Sequence, residues 1–486
     1  MQYLSTRDSA LRVSAQEAIV RGLAPQSGLF VPETFPQADL DAWKNLSYPE
    51  LAEKVLAGFL TDYSADFLHT ATASTYGAAF GGKAGETVKV RDGLYSLELW
   101  HGPTCAFKDY ALQLMPKLLV EAKKMLGRTE TTRILVATSG DTGKAALAGY
   151  ADLDGIEIEV FYPNDGTSEI QHLQMATQKG ENVQVYAVQG NFDDAQTGVK
   201  KVFADADVAA ELEKRGIRLS SANSINWGRL VPQIVYYFAA YAQLLKAGKI
   251  TFGDKVDFCV PTGNFGDILA GYYAKQMGLP VGKLVCASNQ NNVLTDFLST
   301  GTYTAKREFY KTTSPSMDIL VSSNLERLLY HVTGSDAEVA GLMKSLNETG
   351  GYTVRPETLK AIQESFDCGW SSEEQVAGEI RARYEKDGYL CDTHTAVAFH
   401  VAAQKKRDGV PMVVLSTASP FKFPRSVLEA LGHAAPENDF EAMQALEEAT
   451  GRTAPASLAV LRQKAERFST VIDPAQIAEV ALGCQA

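Results

Sequence analysis

Lys108 is the residue of this chain best placed for covalent chemistry. It lies in Trp100-His101-Gly102-Pro103-Thr104-Cys105-Ala106-Phe107-Lys108-Asp109, where the turn formers end at Pro103 and Phe107, Tyr110, Ala111 and Leu112 surround the amine. That setting points a lysine inward as a helix begins. Partial desolvation lowers its pKa and makes it a nucleophile suited to a Schiff base. Two other stretches suit anions. Thr138-Ser139-Gly140-Asp141-Thr142-Gly143 ends the β-branched run 133–137 and opens an alanine-rich helix. Unpaired N–H groups and the helix dipole there favour a carboxylate or a phosphate. Gly263-Asn264-Phe265-Gly266-Asp267 follows the apolar run 256–260 and Pro261-Thr262, and its glycines let successive N–H groups face one concavity, a phosphate cradle. It is neither a Walker sequence nor a dinucleotide GxGxxG, so a cofactor's single phosphate fits better than a nucleotide. Taken singly, each stretch has a plainer reading, and for a lone lysine the solvated surface residue is the stronger one; the other two read as well as an N-cap and a tight βα turn. Together they supply the parts needed by one aldehyde-phosphate cofactor.

Strands must deliver these junctions. The runs 133–137, 156–163, 183–188, 255–261, 283–287 and 411–417 predict strands, alternating with helices at 144–152, 168–178, 193–214, 229–247 and 268–277. Such alternation implies parallel pairing by right-handed crossovers, in an α/β protein with sheets covered on both faces. Ligands then bind beyond the carboxyl ends of strands. The first ninety residues predict mostly helix (15–21, 38–60, 62–75), with a Gly/Pro turn at 22–36 and a boundary near 81–85. Residues 292–390 turn helical and charged, and the helical tail 437–486 reads as a docked cap. No internal repeat or low-complexity segment is present.

The chain of 486 residues is 45% hydrophobic and 21% charged, with 46 Lys plus Arg against 58 Asp plus Glu, a net charge of −12. Bulk attraction to nucleic acid or an anionic membrane is excluded, so any phosphate must be held in a local pocket. Cysteines at 105, 259, 286, 368, 391 and 484 show no CxxC spacing, and no metal centre or dense disulfide framework is expected. No secretory signal or membrane span is visible, which points to the cytoplasm.

Gly-Pro-Thr-Cys-Ala-Phe-Lys-Asp (102–109), Thr-Ser-Gly-Asp-Thr-Gly (138–143) and Pro-Thr-Gly-Asn-Phe-Gly-Asp (261–267), in this order, resemble the threonine synthase family of pyridoxal-phosphate enzymes, bacterial and fungal subgroup. The resemblance extends over nearly the whole chain. Its other parts are Tyr3-Leu4-Ser5-Thr6-Arg7, the stretch 22–32, Ser221-Ala222-Asn223-Ser224-Ile225-Asn226-Trp227-Gly228-Arg229, and Ser416-Thr417-Ala418-Ser419-Pro420-Phe421-Lys422-Phe423. It implies the fold-type II architecture: two parallel-sheet α/β lobes with the active site between them, a mostly helical N-terminal module (1–90), a catalytic region (91–435) and a helical C-terminal extension (436–486). It implies that Lys108 bonds pyridoxal 5'-phosphate, that Gly263, Asn264, Phe265, Gly266 and Asp267 bind its phosphate, and that Thr417 meets its ring nitrogen. Ser139, Asp141 and Thr142 would line the substrate side. Ser221, Asn223, Ser224, Asn226 and Arg229 are candidates for a substrate phosphate, with Lys144 as an outlying one. A bidentate guanidinium is the group best shaped for that phosphate.

The implied reaction turns O-phospho-L-homoserine and water into L-threonine and phosphate, in a monomer or homodimer without nucleic-acid or membrane partners. Cys105, Ser419 and Gln26-Ser27 depart from the family's usual residues, which bears on substrate positioning and leaves the lysine untouched. Two rivals stay open: a β-eliminating relative such as a threonine or serine dehydratase or cysteine synthase, and a silent homologue that binds phosphorylated metabolites. His101 is a weak proton-carrier candidate. His394 and the pairs Tyr236-Tyr237 and Tyr272-Tyr273 fit packing better than ligand contact.

Overall fold

The β-branched runs that predict strands form the centres of two sheets, buried on both faces as parallel strands require. The structure, a computed structural model, describes residues 1–164 and 167–483, with Asp193 described by its backbone alone. Cys484 lies outside the described residues, and the five other cysteines are buried and free.

The larger sheet runs Phe366–Trp370, Val281–Ser288, Val256–Pro261, Met412–Ser416, Leu94–Glu98, Glu86–Arg91, with only the last pair antiparallel. The smaller runs Val471–Ile472, Val183–Val188, Ile156–Pro163, Thr131–Ala137, Ile217–Ser220, parallel throughout. Two α/β lobes of the fold-type II kind result. In the smaller sheet Ile134, Val136, Ile158 and Val160 face the main core. Leu135 and Phe161 face a second core that includes Val199 and Ile477 from helices on the opposite side. The period-2 alternation of side chains thus demands cover on both faces. The helix Ile234–Lys246 is apolar almost all round and is buried accordingly.

Several elements differ from expectation. The N-terminal module carries helices Ala15–Arg21, Tyr48–Phe59 and Ala65–Tyr76, but also a three-stranded antiparallel sheet of Asp8–Val13, Tyr3–Ser5 and Phe30–Pro32. Two of these strands, Tyr3–Ser5 and Phe30–Pro32, have three residues each and are too short to show a period. The hairpin Glu86–Arg91/Leu94–Glu98 was not expected either, although Asp92-Gly93, with Gly93 at φ 69°, is a recognisable two-residue turn. The helix expected at 193–214 is two helices, Phe192–Ala204 and Ala206–Lys214, because the Asp205 carboxylate accepts from Asp207 N and Val208 N and caps the second. The helix expected at 229–247 breaks at Pro232, leaving Trp227–Leu230 ahead of Ile234–Lys246. In the tail, Val471–Ile472 adds an edge strand to the smaller sheet. No helix among the described residues is long and apolar enough to cross a membrane.

Candidate active site

Lys108 follows the carboxyl end of the strand Leu94–Glu98 and precedes the short helix Asp109–Leu112. Its loop is stitched to the stretch after Met412–Ser416: Phe107 N donates to Thr417 O at 2.8 Å, Ser419 N to Cys105 O at 3.1 Å, and Ala106 bridges Ala418. Cys105 takes φ 60° to make the turn. The Lys108 amine donates to Ser316 Oγ at 3.3 Å and lies 4.7 Å from the Phe107 ring centre. Burial pushes its pKa down to about 8; Asp141 and Asp267 oppose that fall, while Lys422 and Arg229 reinforce it. An amine so placed is a base and nucleophile near neutral pH.

Thr138 shapes the second stretch, its Oγ1 accepting from Gly140 N and Gly143 N, both at 3.0 Å. The helix Asp141–Tyr150 starts behind Gly140 (φ 143°), which has no side chain to cap it; with Gly143 N taken by Thr138, the N–H groups of Asp141 and Thr142 remain available. Ser139 and Thr142 are half-buried beside them. The Asp141 carboxylate is already engaged, by Lys422 Nζ at 2.7 Å and Gln171 Nε2 at 3.0 Å. Burial would raise its pKa, but Lys422 and Lys108 outweigh that and keep it ionised. Lys144 lies apart, its amine on Gln178 Oε1 at 2.5 Å.

The third stretch forms an open helix start. Phe265 at φ 63° is the N-cap of Gly266–Gln276 and no side chain caps it. Gly263 admits no side chain, since a Cβ would stand 2.8 Å from Ser316 O. Asp267 is buried: Tyr236 OH donates to its Oδ1, Tyr237 OH donates to its carbonyl at 2.8 Å, and Oδ2 has no partner among the described residues. Burial pushes its pKa up to about 7. Thr417 is fixed by its backbone, whose N donates to Thr395 Oγ1 at 3.2 Å.

In the stretch 221–229, Arg229 is buried, donates to Ala222 O, and has no acidic partner and an unbonded Nε among the described residues. Ser221 Oγ accepts from Asn223 N at 3.3 Å, and Ser224 O accepts from Asn324 Nδ2 at 3.2 Å. Asn226 is spent on structure, its amide on Ile19 O at 2.9 Å and its Oδ1 capping Gly228 N at 2.9 Å. The structure therefore brings Asp141, Asp267, Lys422 and Arg229 within electrostatic reach of Lys108, while Lys144 hydrogen-bonds to Gln178 and faces Lys422 and Asp109 instead.

Sequence reasoning missed Ser316, Asn324 and Lys422. The first two lie in a stretch that carried no strand–turn–helix signal, and Lys422 stood in a matched motif without a role. His101 pairs with Glu98 at 2.7 Å. His394 accepts from Ser316 N at 3.2 Å and pairs through Nδ1 with Asp392 at 2.7 Å. Backbone donation to Nε2 puts the imidazole proton on Nδ1.

Comparison with known proteins follows the same outline. Family models described as threonine synthase N terminus, pyridoxal-phosphate dependent enzyme, and threonine synthase C-terminal match residues 2–76, 84–368 and 395–481. The threonine synthase of Pseudomonas aeruginosa is 41% identical over 436 residues, 88% of this chain and 90% of that one. The human threonine synthase-like 1 is 40% identical over 452 residues, 88% of this chain but 60% of its own length. The crystal structure of pyridoxal-phosphate-bound threonine synthase from Brucella melitensis superposes with a TM-score of 0.89 at 38% identity, covering 100% of this chain and 99% of that one. Yeast threonine synthase gives 0.87 at 33% identity, covering 99% and 97%.

Proposed function

This chain belongs to the threonine synthase family of pyridoxal-phosphate-dependent enzymes, and on that premise we propose that it converts O-phospho-L-homoserine and water into L-threonine and phosphate. The residues present fit the cofactor. A half-buried amine, a Thr417 hydroxyl that bonds none of the described residues and an uncapped helix start at Gly266 offer partners for an aldehyde, a ring nitrogen and a phosphate. When bound, pyridoxal phosphate supplies the electron sink that stabilises negative charge beside the substrate's amino group.

The chain's own residues do the rest. Lys108 would hold the cofactor, and its amine is the group that takes and returns protons. A pKa of about 8 leaves roughly a tenth of the amine unprotonated at pH 7, enough for repeated use as a base. Ser139, Thr142 and the N–H groups starting the helix Asp141–Tyr150 bind the substrate carboxylate. Gly263, Asn264, Phe265, Gly266 and Asp267 seat the cofactor phosphate. Arg229 binds the substrate phosphate with Ser221, Asn223 and Ser224, while Asn226 shapes the turn that presents them. Arg229 is the observation that carries this reading: a buried guanidinium without an acidic partner beside the lysine is costly unless it meets an anion. A plain β-eliminating enzyme has no use for it. A cytoplasmic location, a monomer or homodimer, and the division at 90/91 and 435/436 belong to the same proposal.

The test is phosphate release from O-phospho-L-homoserine with threonine formed in equal amount. We expect wild type to turn over and Lys108→Ala to lose at least about 10³-fold. A cofactor-loaded wild type that releases no phosphate, or that instead yields ammonia and a keto acid from serine or threonine, sinks the reading.

A further inference from the structure

We propose that Lys422 is a positioning residue: a buried ammonium reaching from the larger lobe that ties the Lys108 loop and the Asp141 helix start into one geometry. The inference rests on the function proposed above and assigns a role to a residue that function leaves idle. Lys422 follows Met412–Ser416 in the 3₁₀ turn Pro420–Lys422, and it is fully buried. Its amine donates to Asp141 Oδ1 at 2.7 Å, in the smaller lobe, and to Thr104 O at 3.1 Å, in the lysine loop. Each partner is held again. Gln171 Nε2 meets the same Asp141 oxygen at 3.0 Å, and Gln174 Nε2 meets Thr104 O at 3.2 Å. Thr104 in turn donates through N and Oγ1 to Asp109, the neighbour of Lys108, at 2.8 and 2.7 Å. One cation thus joins three of the motifs that carry the chemistry.

A purely structural buried pair could be replaced by apolar side chains without loss, so the location needs another reason. Two effects follow from the geometry. Asp141 cannot turn toward the Lys108 amine while Lys422 holds it, and Lys422 itself repels a proton on Lys108. Gln171 and Lys422 also line a cavity of about 480 Å³ together with Thr313 and Arg425, although the ion pair itself is buried. The other charged groups facing this cluster are Asp267 and Arg229 toward Lys108, and Asp109, Lys144 and the Cys105 thiol toward Lys422. None of them replaces Lys422 on Asp141.

The experiment uses cofactor-loaded protein bearing Lys422→Met, Lys422→Arg or Lys422→Met with Asp141→Asn. One readout needs no substrate: the pH titration of the bound cofactor's visible absorbance. Removing a cation while leaving Asp141 free favours protonation at the Lys108 nitrogen, so Lys422→Met moves the midpoint up by about one pH unit. The double variant removes both charges and brings the midpoint back; Lys422→Arg stays near wild type. In turnover, Lys422→Met raises KM about ten-fold as the helix start loses its alignment. Should Lys422→Met fail to fold, Lys422→Gln, which keeps a donor for Thr104 O, reads the same upward shift. A folded single variant with the wild-type midpoint, or a double variant no different from the single, overturns the proposal. Because the titration is indifferent to substrate, a wild type inactive on O-phospho-L-homoserine would remove the proposed reaction while leaving this test intact.

Discussion

The Asp267 carboxyl shows how burial prepares a residue for an anionic neighbour. It sits at the helix start that would seat a phosphate, where an ionised carboxylate would repel the ligand. Burial raises its pKa to about 7 against the Tyr236 and Tyr237 hydroxyls and the Lys108 charge, which favour ionisation. A group whose folded pKa is raised stabilises fully below its unfolded pKa, near 4, and loses that contribution as pH rises through 7. Asp267→Asn, neutral at every pH, should therefore gain on wild type as pH rises from 5 to 8, by roughly 2 kcal/mol in urea unfolding of the cofactor-free protein. A stability gap that stays flat across that range would show that Asp267 ionises freely. Cofactor affinity of this variant should be preserved, since in the proposed site the backbone N–H groups and not the carboxylate would hold the phosphate.

At the scale of elements, the cradle depends on a close approach between two loops. Gly263 lies against the segment that carries Ser316, with room for no Cβ between them. The same segment is anchored from behind: Asp318 accepts from Asn289 Nδ2 at 2.7 Å, Asn291 Nδ2 at 3.0 Å and Thr312 N at 3.0 Å. It cannot retreat cheaply. Gly263→Ala should thus weaken cofactor binding roughly ten- to hundred-fold with little change in overall fold, measured by titrating the cofactor-free protein. Unchanged affinity would mean that the segment yields.

The whole molecule explains why an N-terminal module of small strands and helices accompanies the two lobes. Arg327, buried in the helix Leu325–Thr333, donates to Phe30 O at 2.9 Å in the module and to Ile225 O at 2.6 Å in the stretch leading to Arg229. It also donates to Asn324 Oδ1, and Asn324 Nδ2 donates to Asn264 O at 3.0 Å and Ser224 O at 3.2 Å. Neighbouring Glu326 accepts from Arg7 Nε at 2.9 Å and from Thr6 Oγ1 at 2.5 Å. The module is therefore wired to both anion seats. Arg327→Met should leave buried carbonyls unpaired and destabilise by about 3 kcal/mol, with a rise in KM for the phosphorylated substrate. Equilibrium unfolding and steady-state kinetics measure the two effects, and a stable variant with normal KM would count against the coupling.

Local chemistry was legible from the chain alone. A lysine among apolar residues, two glycine-bearing helix starts and the alternation of strand and helix are short-range facts, and they pointed to an aldehyde-phosphate cofactor, a parallel α/β fold and Lys108 as the candidate amine, while the two-lobed architecture was implied by the family resemblance of the motifs. The net charge of −12 told against bulk attraction to phosphate, and the groups proposed to replace it are few: N–H donors at two helix starts and one buried guanidinium without an acidic partner among the described residues. Contacts between residues hundreds of positions apart leave no period or spacing to read. Lys422 on Asp141, Ser316 on Lys108 and Arg327 on Phe30 arise only when the lobes and the module pack. Tertiary structure alone decided that Asp141 is spoken for by a lysine, because a carboxylate's partner is fixed by distance in space and burial, neither of which the order of residues records.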